Sequence, residues 1–215
     1  GNHSTDYELL SVKVLVDSIS VDPAFLTSMS RHLLNNGSLT LHPKQYQTVQ
    51  YSVNSPSMQL VSARAMTRLN TAFVTFYRDG VATTQKKCNL FYLSANGQNM
   101  SGQAQIGERI FPDQRVDNMR QFYHRFLSAV GVLGSSTTIN LTIHPYMSDS
   151  FIYATDFEAV PGEAHGSGMS TQGAQLTFDL RDMGTDATDL PTTAFITCWH
   201  EGIIEITQDG VSYAT

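Results

Sequence analysis

The stretch TRLNTAFVTFYRDG, residues 67–80, decides the fold of this chain. It concentrates Val, Thr, Phe and Tyr, which favour β-strands, and Arg78-Asp79-Gly80 ends it like a turn. Alternation divides it into two rows, one with Leu69, Thr71, Phe73, Thr75 and Tyr77 and the other with Asn70, Ala72, Val74, Phe76 and Arg78. Neither row is polar, so neither face is expected to be open to water. We expect one face to pack on an opposing sheet. The other must be covered by a helix, a long loop or a neighbouring molecule.

The composition excludes several classes of protein. The 215 residues are 41% hydrophobic and 15% charged, which is ordinary for a soluble globular protein. The net charge is −6 and the 13 Lys and Arg residues are scattered, so the basic stripe of a nucleic-acid-binding surface is missing. No apolar run approaches the roughly 20 residues of a membrane-spanning helix, and no signal peptide is visible. No shift in composition marks a second domain, so we expect residues 1–215 to form a single domain.

The cysteines and glycosylation triplets carry little functional information. Cys88 and Cys198 are too few for a disulfide framework and form no Cys-x-x-Cys pair, so we expect two reduced thiols without a disulfide and without zinc. Asn-x-Ser/Thr triplets begin at Asn2, Asn36, Asn99 and Asn140, which is weak evidence for glycosylation.

Two segments have the pattern of a capped amphipathic helix. In residues 23–35 Asp22 can cap, Pro23 takes the first helical position, Gly37 stops the helix, and one apolar face indicates a packed surface helix. In residues 117–130 Asp117 can cap, the buried stripe includes Phe122 and Phe126, and Gly131 ends the helix.

Most of the remaining chain reads as strands. Residues 7–19 alternate like a strand, and residues 38–53 and 57–69 form a strand pair joined by the turn Asn54-Ser55-Pro56. Further strands are expected in QAQIGERIFP, which Pro112 would stop, in TINLTI, SFIYATDFEAV and AQLTFDLRD, and in the closing run from residue 193. Residues 80–102 form a long loop with an apolar island, LFYL, and residues 161–173 form a mobile Gly-rich linker. Eight or more strands with two helices predict an all-β, antiparallel two-sheet sandwich of the jelly-roll type.

The search for catalytic or metal-binding motifs finds none. A metal pair on a helix needs two histidines four residues apart. No two of the seven histidines have this spacing, since they lie at positions 3, 32, 42, 124, 144, 165 and 200. WHEGI at residues 199–203 lacks the second His of a zinc protease, and GMSTQG at residues 168–173 misses the nucleophile-elbow spacing. The spacing of Asp182, Asp186 and Asp189 is not the dense spacing of a calcium loop. A separate feature is the pair Arg64 and Arg68, which could pair with acids across a subunit contact. We therefore predict no catalytic, cofactor-binding or metal-binding residues and no enzymatic activity.

The order of the motifs resembles the C-terminal jelly roll of double jelly-roll major capsid proteins, the kind carried by polinton-like viruses, virophages and large eukaryotic DNA viruses. The similar pieces are LLSVKVLVDSISVDPAFLTSMSRHLLNNGSLTLH, VSARAMTRLNTAFVTFYRD, AQIGERIFPDQRVDNMRQFYHRFLSAVG, SFIYATDFEAVPGEAHGSGMSTQGAQLTFDLRDMG and AFITCWHEGIIEITQDGVSY. Each piece is degenerate alone, but together they run over about 200 residues in the family's order.

The resemblance implies a structural role in a virion. Members of that family place two jelly rolls in tandem and form trimers, which are the pseudo-hexagonal capsomers of an icosahedral shell. The implied partners are two further copies of the chain, neighbouring capsomers, and penton or minor capsid proteins, without nucleic-acid contact, cofactor or membrane span. This chain has the length of one roll, so either an N-terminal roll is missing from it or a single roll works alone.

Two other functions are compatible with the same fold. A lectin-like, carbohydrate-binding jelly roll would use exposed aromatics or a calcium site, but the chain has a single Trp, Trp199, inside a strand-like run. A cupin-type enzyme would need a cluster of His with an acid, and His144 and His200 have no matching third ligand. The size of the purified protein would separate these functions, since trimers or shells favour the capsid and a sugar-binding monomer favours the lectin.

Overall fold

The fold is known from a computed structural model that describes residues 8, 10–35, 37–78, 99–133, 141–148, 150–158, 167–184 and 190–214. Its helices are α1 (Pro23–Leu34), α2 (Met119–Ala129) and α3 (Ile143–Ser148). Its strands are β1 (Leu39–Leu41), β2 (Lys44–Ser52), β3 (Met58–Ser62), β4 (Arg68–Tyr77), β5 (Ser101–Ile106), β6 (Arg109–Val116), β7 (Tyr153–Asp156), β8 (Leu176–Arg181), β9 (Thr193–Glu201), β10 (Ile203–Thr207) and β11 (Gly210–Ala214). All the strand pairs with a described register are antiparallel.

Eight of these strands form two four-stranded sheets. The first has the order β2-β9-β4-β7 and the second the order β3-β8-β5-β6. Consecutive strands β2 and β3 lie in different sheets, as do β4 and β5, so the chain repeatedly crosses between the layers. This is the two-sheet arrangement of a jelly roll, and the predicted fold class is confirmed. The expected pairing of β2 with β3 is wrong, because β2 pairs with β9 and β3 with β8.

The deciding stretch forms β4, but its two rows are not the ones that strict alternation predicts. The register of β4 against β9 shifts between Leu69 and Thr71, so that Asn70 is an extra residue in the strand. Leu69 therefore lies opposite His200, in the same row as Ala72, Val74 and Phe76, and is fully buried. The row with Phe73, Thr75 and Tyr77 is half-buried on the outer face of the sheet. The bulge thus assigns the most apolar residues to the core.

The core lies between the two sheets and under α2. It is closed by a chain of aromatic contacts: Phe122 meets Tyr153 and Phe151 edge-on with ring centroids 5.5 and 5.7 Å apart, and Tyr153 meets Phe178 at 5.7 Å. Gly102 sits at this junction, where an added Cβ would lie 3.0 Å from the Tyr153 ring and 3.2 Å from Phe122. A side chain at this position would press on these rings, so glycine suits the close approach of β5 to α2.

The chain divides into two compact units. One consists of residues 1–39 and 206–210 and contains α1, and the other, residues 40–205 and 211–215, contains both jelly-roll sheets. The remaining strands have the sheet order β1-β10-β11. The prediction of one domain over residues 1–215 remains a prediction.

The first predicted elements differ from the structure in burial and pairing. The described residues between 8 and 19 belong to no strand, because a strand needs a partner for its backbone groups and these residues pair with no other described strand. The helix predicted at 23–35 is confirmed as α1, with Asp22 accepting a hydrogen bond from the Ala24 N–H at 2.7 Å. Its apolar face is only partly covered, since Met29 and Leu33 are half-buried, no residue of α1 is fully buried and Phe25 is mostly exposed.

The segment from 103 to 112 holds a hairpin and not one strand. Gly107 has φ +58°, which opens a tight turn, and the chain continues as β6 through Pro112. Pro112 does not end the strand because β6 lies at the edge of its sheet and its register against β5 is irregular between Phe111 and Val116, where proline is tolerated.

Two further predictions are corrected in the second half. The cap of α2 is Asn118, whose side chain accepts from the Arg120 N–H, and not Asp117. Residues 143–148 form the third helix and not the end of a strand, because Tyr146 is fully buried there and its ring lies 5.5 Å from that of Phe126.

The predicted linker at 161–173 is described only from residue 167 onward, and that part is hydrogen-bonded to β4 and to the chain just before it. Met169 and Leu69 exchange two backbone hydrogen bonds, and the Thr171 hydroxyl donates to the Arg64 carbonyl at 2.8 Å. The LFYL island at 90–93 and Cys88 lie outside the described residues. Cys198 is a free, buried thiol.

Candidate assembly surface

The outer faces of the two sheets differ in chemistry. Residues that pair directly across neighbouring strands share a face. The outer face of β2-β9-β4 has one charged row at its end, Lys44, Glu201 and Arg68, followed by four uncharged rows that begin at Tyr46, Thr48, Gln50 and Ser52. We call it the aromatic sheet face, and its large residues are Tyr46, Phe73, Tyr77, Phe195 and Trp199. Tyr46 is 66% exposed and the other four are half-buried. A face of this kind is typical of a surface that another protein covers.

One end of the aromatic sheet face is ordered by ring stacking. The rings of Tyr46 and Trp199 stack with centroids 6.0 Å apart, and Lys44 Nζ lies 4.6 Å from the centroid of the Trp199 ring. The stack and the cation–π contact cover the single tryptophan from one side. This arrangement argues against Trp199 as an open platform for a sugar ring.

The outer face of the opposite sheet is polar. Asp179 on β8 accepts hydrogen bonds from Arg181, with Nη2–Oδ2 at 2.8 Å, and from Arg115 on β6. Arg115 also donates to the Asp179 carbonyl oxygen at 3.2 Å. Burial would raise the pKa of Asp179, but the hydrogen bonds from Arg181 and Arg115 outweigh it and lower the pKa below its usual value. This face is a hydrated, charge-paired surface.

The end of β9 carries buried polar groups. Glu201 is 1% exposed, and its Oε2 lies 3.5 Å from Nη1 of Arg68. The neighbouring His200 lies on the core side of the same strand and is fully buried, and burial lowers the pKa of its imidazole. The predicted pairing of Arg68 with an acid therefore occurs within one chain. The pair stabilises the junction of β4 and β9 and provides no open site for chemistry.

A basic groove lies between β6 and α2. Its charged lining residues are Arg115, Asp117, Arg120, His124 and Arg125. The helix places Arg120 and His124 one turn apart, and likewise Gln121 and Arg125, so both pairs share one exposed side. Sequence reasoning missed this groove because the basic residues are separated by the buried Phe122 and half-buried Tyr123.

The described residues offer no metal site. No group of three or more His, Cys, Asp or Glu residues among them is placed to hold a metal ion. His32, His124 and His200 lie on different elements, α1, α2 and β9, while His3 and His165 fall outside the described ranges. Of the acidic group at 182–189, only Asp182 is described, and of the glycosylation triplets only Asn99, which is exposed. None of the described helices is long and apolar enough to span a membrane.

Comparison with known proteins identifies the fold. The chain is similar to the crystal structure of VP54 of PBCV-1, as fitted into a reconstruction of the virophage Sputnik, with a TM-score of 0.58 and 11% identity over 91% of this chain and 55% of that chain. It is also similar to a chain in the quasi-atomic model of the PBCV-1 virus capsid, with a TM-score of 0.52 and 11% identity over 87% of this chain and 54% of that chain. The chain thus spans about half the length of the structures it matches.

These likenesses show the jelly-roll fold that the sequence predicted. No protein-family model matches the chain, and no curated protein matches it.

The aromatic sheet face was predicted from the sequence only in part. The residues that β4 contributes were recognised from alternation. The residues that β2 and β9 contribute share this face only because the two strands pair. That pairing joins residues about 150 positions apart, as in the 3.0 Å contact between the Thr48 and Thr197 hydroxyls.

Proposed function

We propose that this chain is a structural capsid protein of a virion, a jelly-roll building block without catalytic activity. The observation that carries the proposal is the similarity of this two-sheet fold to VP54 and to a chain of the PBCV-1 capsid, with TM-scores of 0.58 and 0.52. An assembly role also accounts for an aromatic face that the described part of a single chain leaves partly exposed.

We further propose that the chain corresponds to the C-terminal roll of a double jelly-roll protein and assembles with threefold symmetry. The share of the matched structures that it spans, 55% and 54%, supports one roll out of two. A closed ring of such rolls needs heterologous contacts, in which one side of a roll meets a different side of the next. The aromatic sheet face is the best candidate for one of these sides, because its rows at Thr48, Gln50 and Ser52 hold no charge that burial would leave unpaired.

The test is the size of the purified protein measured by mass photometry and negative-stain microscopy. We expect trimers or larger assemblies for the wild type. Tyr46→Asp should shift the population to monomers, because it places a charge in the aromatic sheet face at a position exposed enough to leave the fold unchanged.

Gln105→Asp is the matched control, since Gln105 is exposed on the polar sheet opposite the uncharged Thr177 and the charge change is the same. It should leave the assembly intact. A wild type that stays monomeric at high concentration would contradict the capsid proposal. A monomer that binds oligosaccharides in a glycan array would support the lectin instead.

A further inference from the structure

A segment before α1 has the composition of a strand but no partner among the described strands. Residues 12–17, VKVLVD, belong to no helix or strand, and their apolar side chains, Val12, Val14, Leu15 and Val16, are between 78% and 94% exposed. The three valines alternate with Lys13, Leu15 and Asp17, so an extended conformation would present one fully apolar row. β-branched residues in this pattern favour a half-buried strand.

The described strands include one open edge that matches such a segment. β2 lies at the end of its sheet and pairs with β9 over nine consecutive residues without a bulge. Beyond Lys44 it reads QYQTVQYS, which contains no charge, no proline and no glycine. Natural proteins usually protect long edges with such residues, because an unprotected edge pairs with other chains.

The other edges of the two jelly-roll sheets are less suited to pairing. β6 carries Pro112 together with Arg109, Asp113 and Arg115. β7 has four residues and β3 has five, which is too short for a six-residue partner. The edge of β2 therefore stands out among the described strands.

The side-chain rows of the two partners are complementary. Along β2 the core-side row, Gln47, Val49 and Tyr51, is half-buried, and the outer row, Tyr46, Thr48 and Gln50, is exposed. An added strand continues both rows of the sheet. Val12, Val14 and Val16 would extend the row of Val49 and Tyr51. Lys13, Leu15 and Asp17 would extend the exposed row, which holds Tyr46 as well as polar residues.

We propose that residues 12–17 of one copy of this chain add as a strand to the edge of β2 in a second copy, with the valines on the core side. The inference rests on the proposed function, since it names a contact that holds the assembly together. This contact differs from burial of the aromatic sheet face, because it would be formed by main-chain hydrogen bonds along the edge of β2.

Disulfide cross-linking between copies tests this pairing. Residues that lie opposite each other on the same face of two paired strands come close enough for a disulfide. Residues whose side chains lie on opposite faces of the sheet point away from each other. We would replace Cys88 by Ser and keep Cys198, since Cys198 is buried and burial raises the pKa of its thiol to about 12. One preparation then carries Lys13→Cys, and the other carries Tyr46→Cys, Thr48→Cys or Gln50→Cys, which together cover the neighbouring registers.

Mixed preparations of Lys13→Cys should give a cross-linked dimer with at least one of the three β2 variants. Val14→Cys is the matched control, because it lies on the opposite face and should give about tenfold less dimer. Equal or stronger cross-linking from Val14→Cys would overturn the proposal, and so would a disulfide that forms only within a single chain carrying both cysteines.

Different results would contradict the capsid function and the strand addition. Trimers or shells that form without any cross-link would overturn the strand addition and leave the capsid function standing. Monomers without cross-links would overturn both. As a second variant, Val14→Asp should weaken the assembly, whereas Val211→Asp, at an apolar position that is also exposed, should not.

Discussion

The buried His200 is a residue whose lowered pKa is expected to make the stability of the fold depend on pH. It lies in the core row of β9, opposite Leu69 and Gln45, and burial lowers the pKa of its imidazole below the ordinary value of 6.5. The folded state thus binds a proton less readily than the unfolded chain does. Unfolding takes up a proton as the pH falls below 6.5, so the free energy of unfolding decreases from that point towards the folded-state pKa.

We predict that replacing His200 by Gln makes stability less dependent on pH between about pH 7.5 and about pH 5.5, because the titrating group is gone. Urea unfolding at the two pH values gives the midpoints to compare. The exposed His124 on α2 provides the control variant His124→Gln, which should keep the wild-type dependence. An unchanged pH dependence in His200→Gln would show that another group is responsible.

At the scale of elements, the two ends of α2 show what a sequence pattern can and cannot assign. Gly131, at φ +72°, ends the helix as predicted, because that conformation favours glycine. At the other end Asp117 and Asn118 are both good caps, and only the geometry selects Asn118.

We expect Asn118→Ala to destabilise the protein by about 0.5–2 kcal/mol, the usual cost of removing a helix cap. Asp117→Ala should have a much smaller effect, since its neighbour supplies the cap oxygen. Thermal and urea unfolding of the two variants would measure the difference. A larger loss in Asp117→Ala would mean that the helix begins one residue earlier than described.

For the strands, the sequence predicts where most of them lie but not which strands pair. The location of β4, β7, β8 and β9 was predictable, because alternation and composition are local properties. The partners were not, since β2 and β3 are close in sequence yet belong to different sheets. The bulge at Asn70 was also hidden, because an extra residue in one strand is visible only against the register of β9. These long-range pairings decide which aromatic residues share a face, so the candidate surface depended on the structure.

At the scale of the whole molecule, the jelly roll has two sheets with unlike exteriors. One exterior holds charge-paired groups, with Asp179 between Arg115 and Arg181. The other holds aromatic and neutral polar rows, with charges only in the row of Lys44, Glu201 and Arg68 at its end. If the chain assembles as proposed, one side would remain hydrated and the other would be buried. The proposed strand addition by residues 12–17, whose valines are exposed, would be a second contact between copies.

This asymmetry predicts how the assembly responds to salt. Contacts through the aromatic sheet face and the β2 edge involve few charges, whereas contacts through the polar sheet would depend on Asp179, Arg115 and Arg181. Salt screens exposed charges strongly between about 0.1 M and about 1 M, because the Debye length falls from about 10 Å to about 3 Å. We therefore expect the assembly to keep its size over this range when followed by sedimentation velocity. Dissociation at high salt would instead place the contact on the charged sheet, and the double variant Arg115→Gln, Arg181→Gln would then reproduce it at low salt.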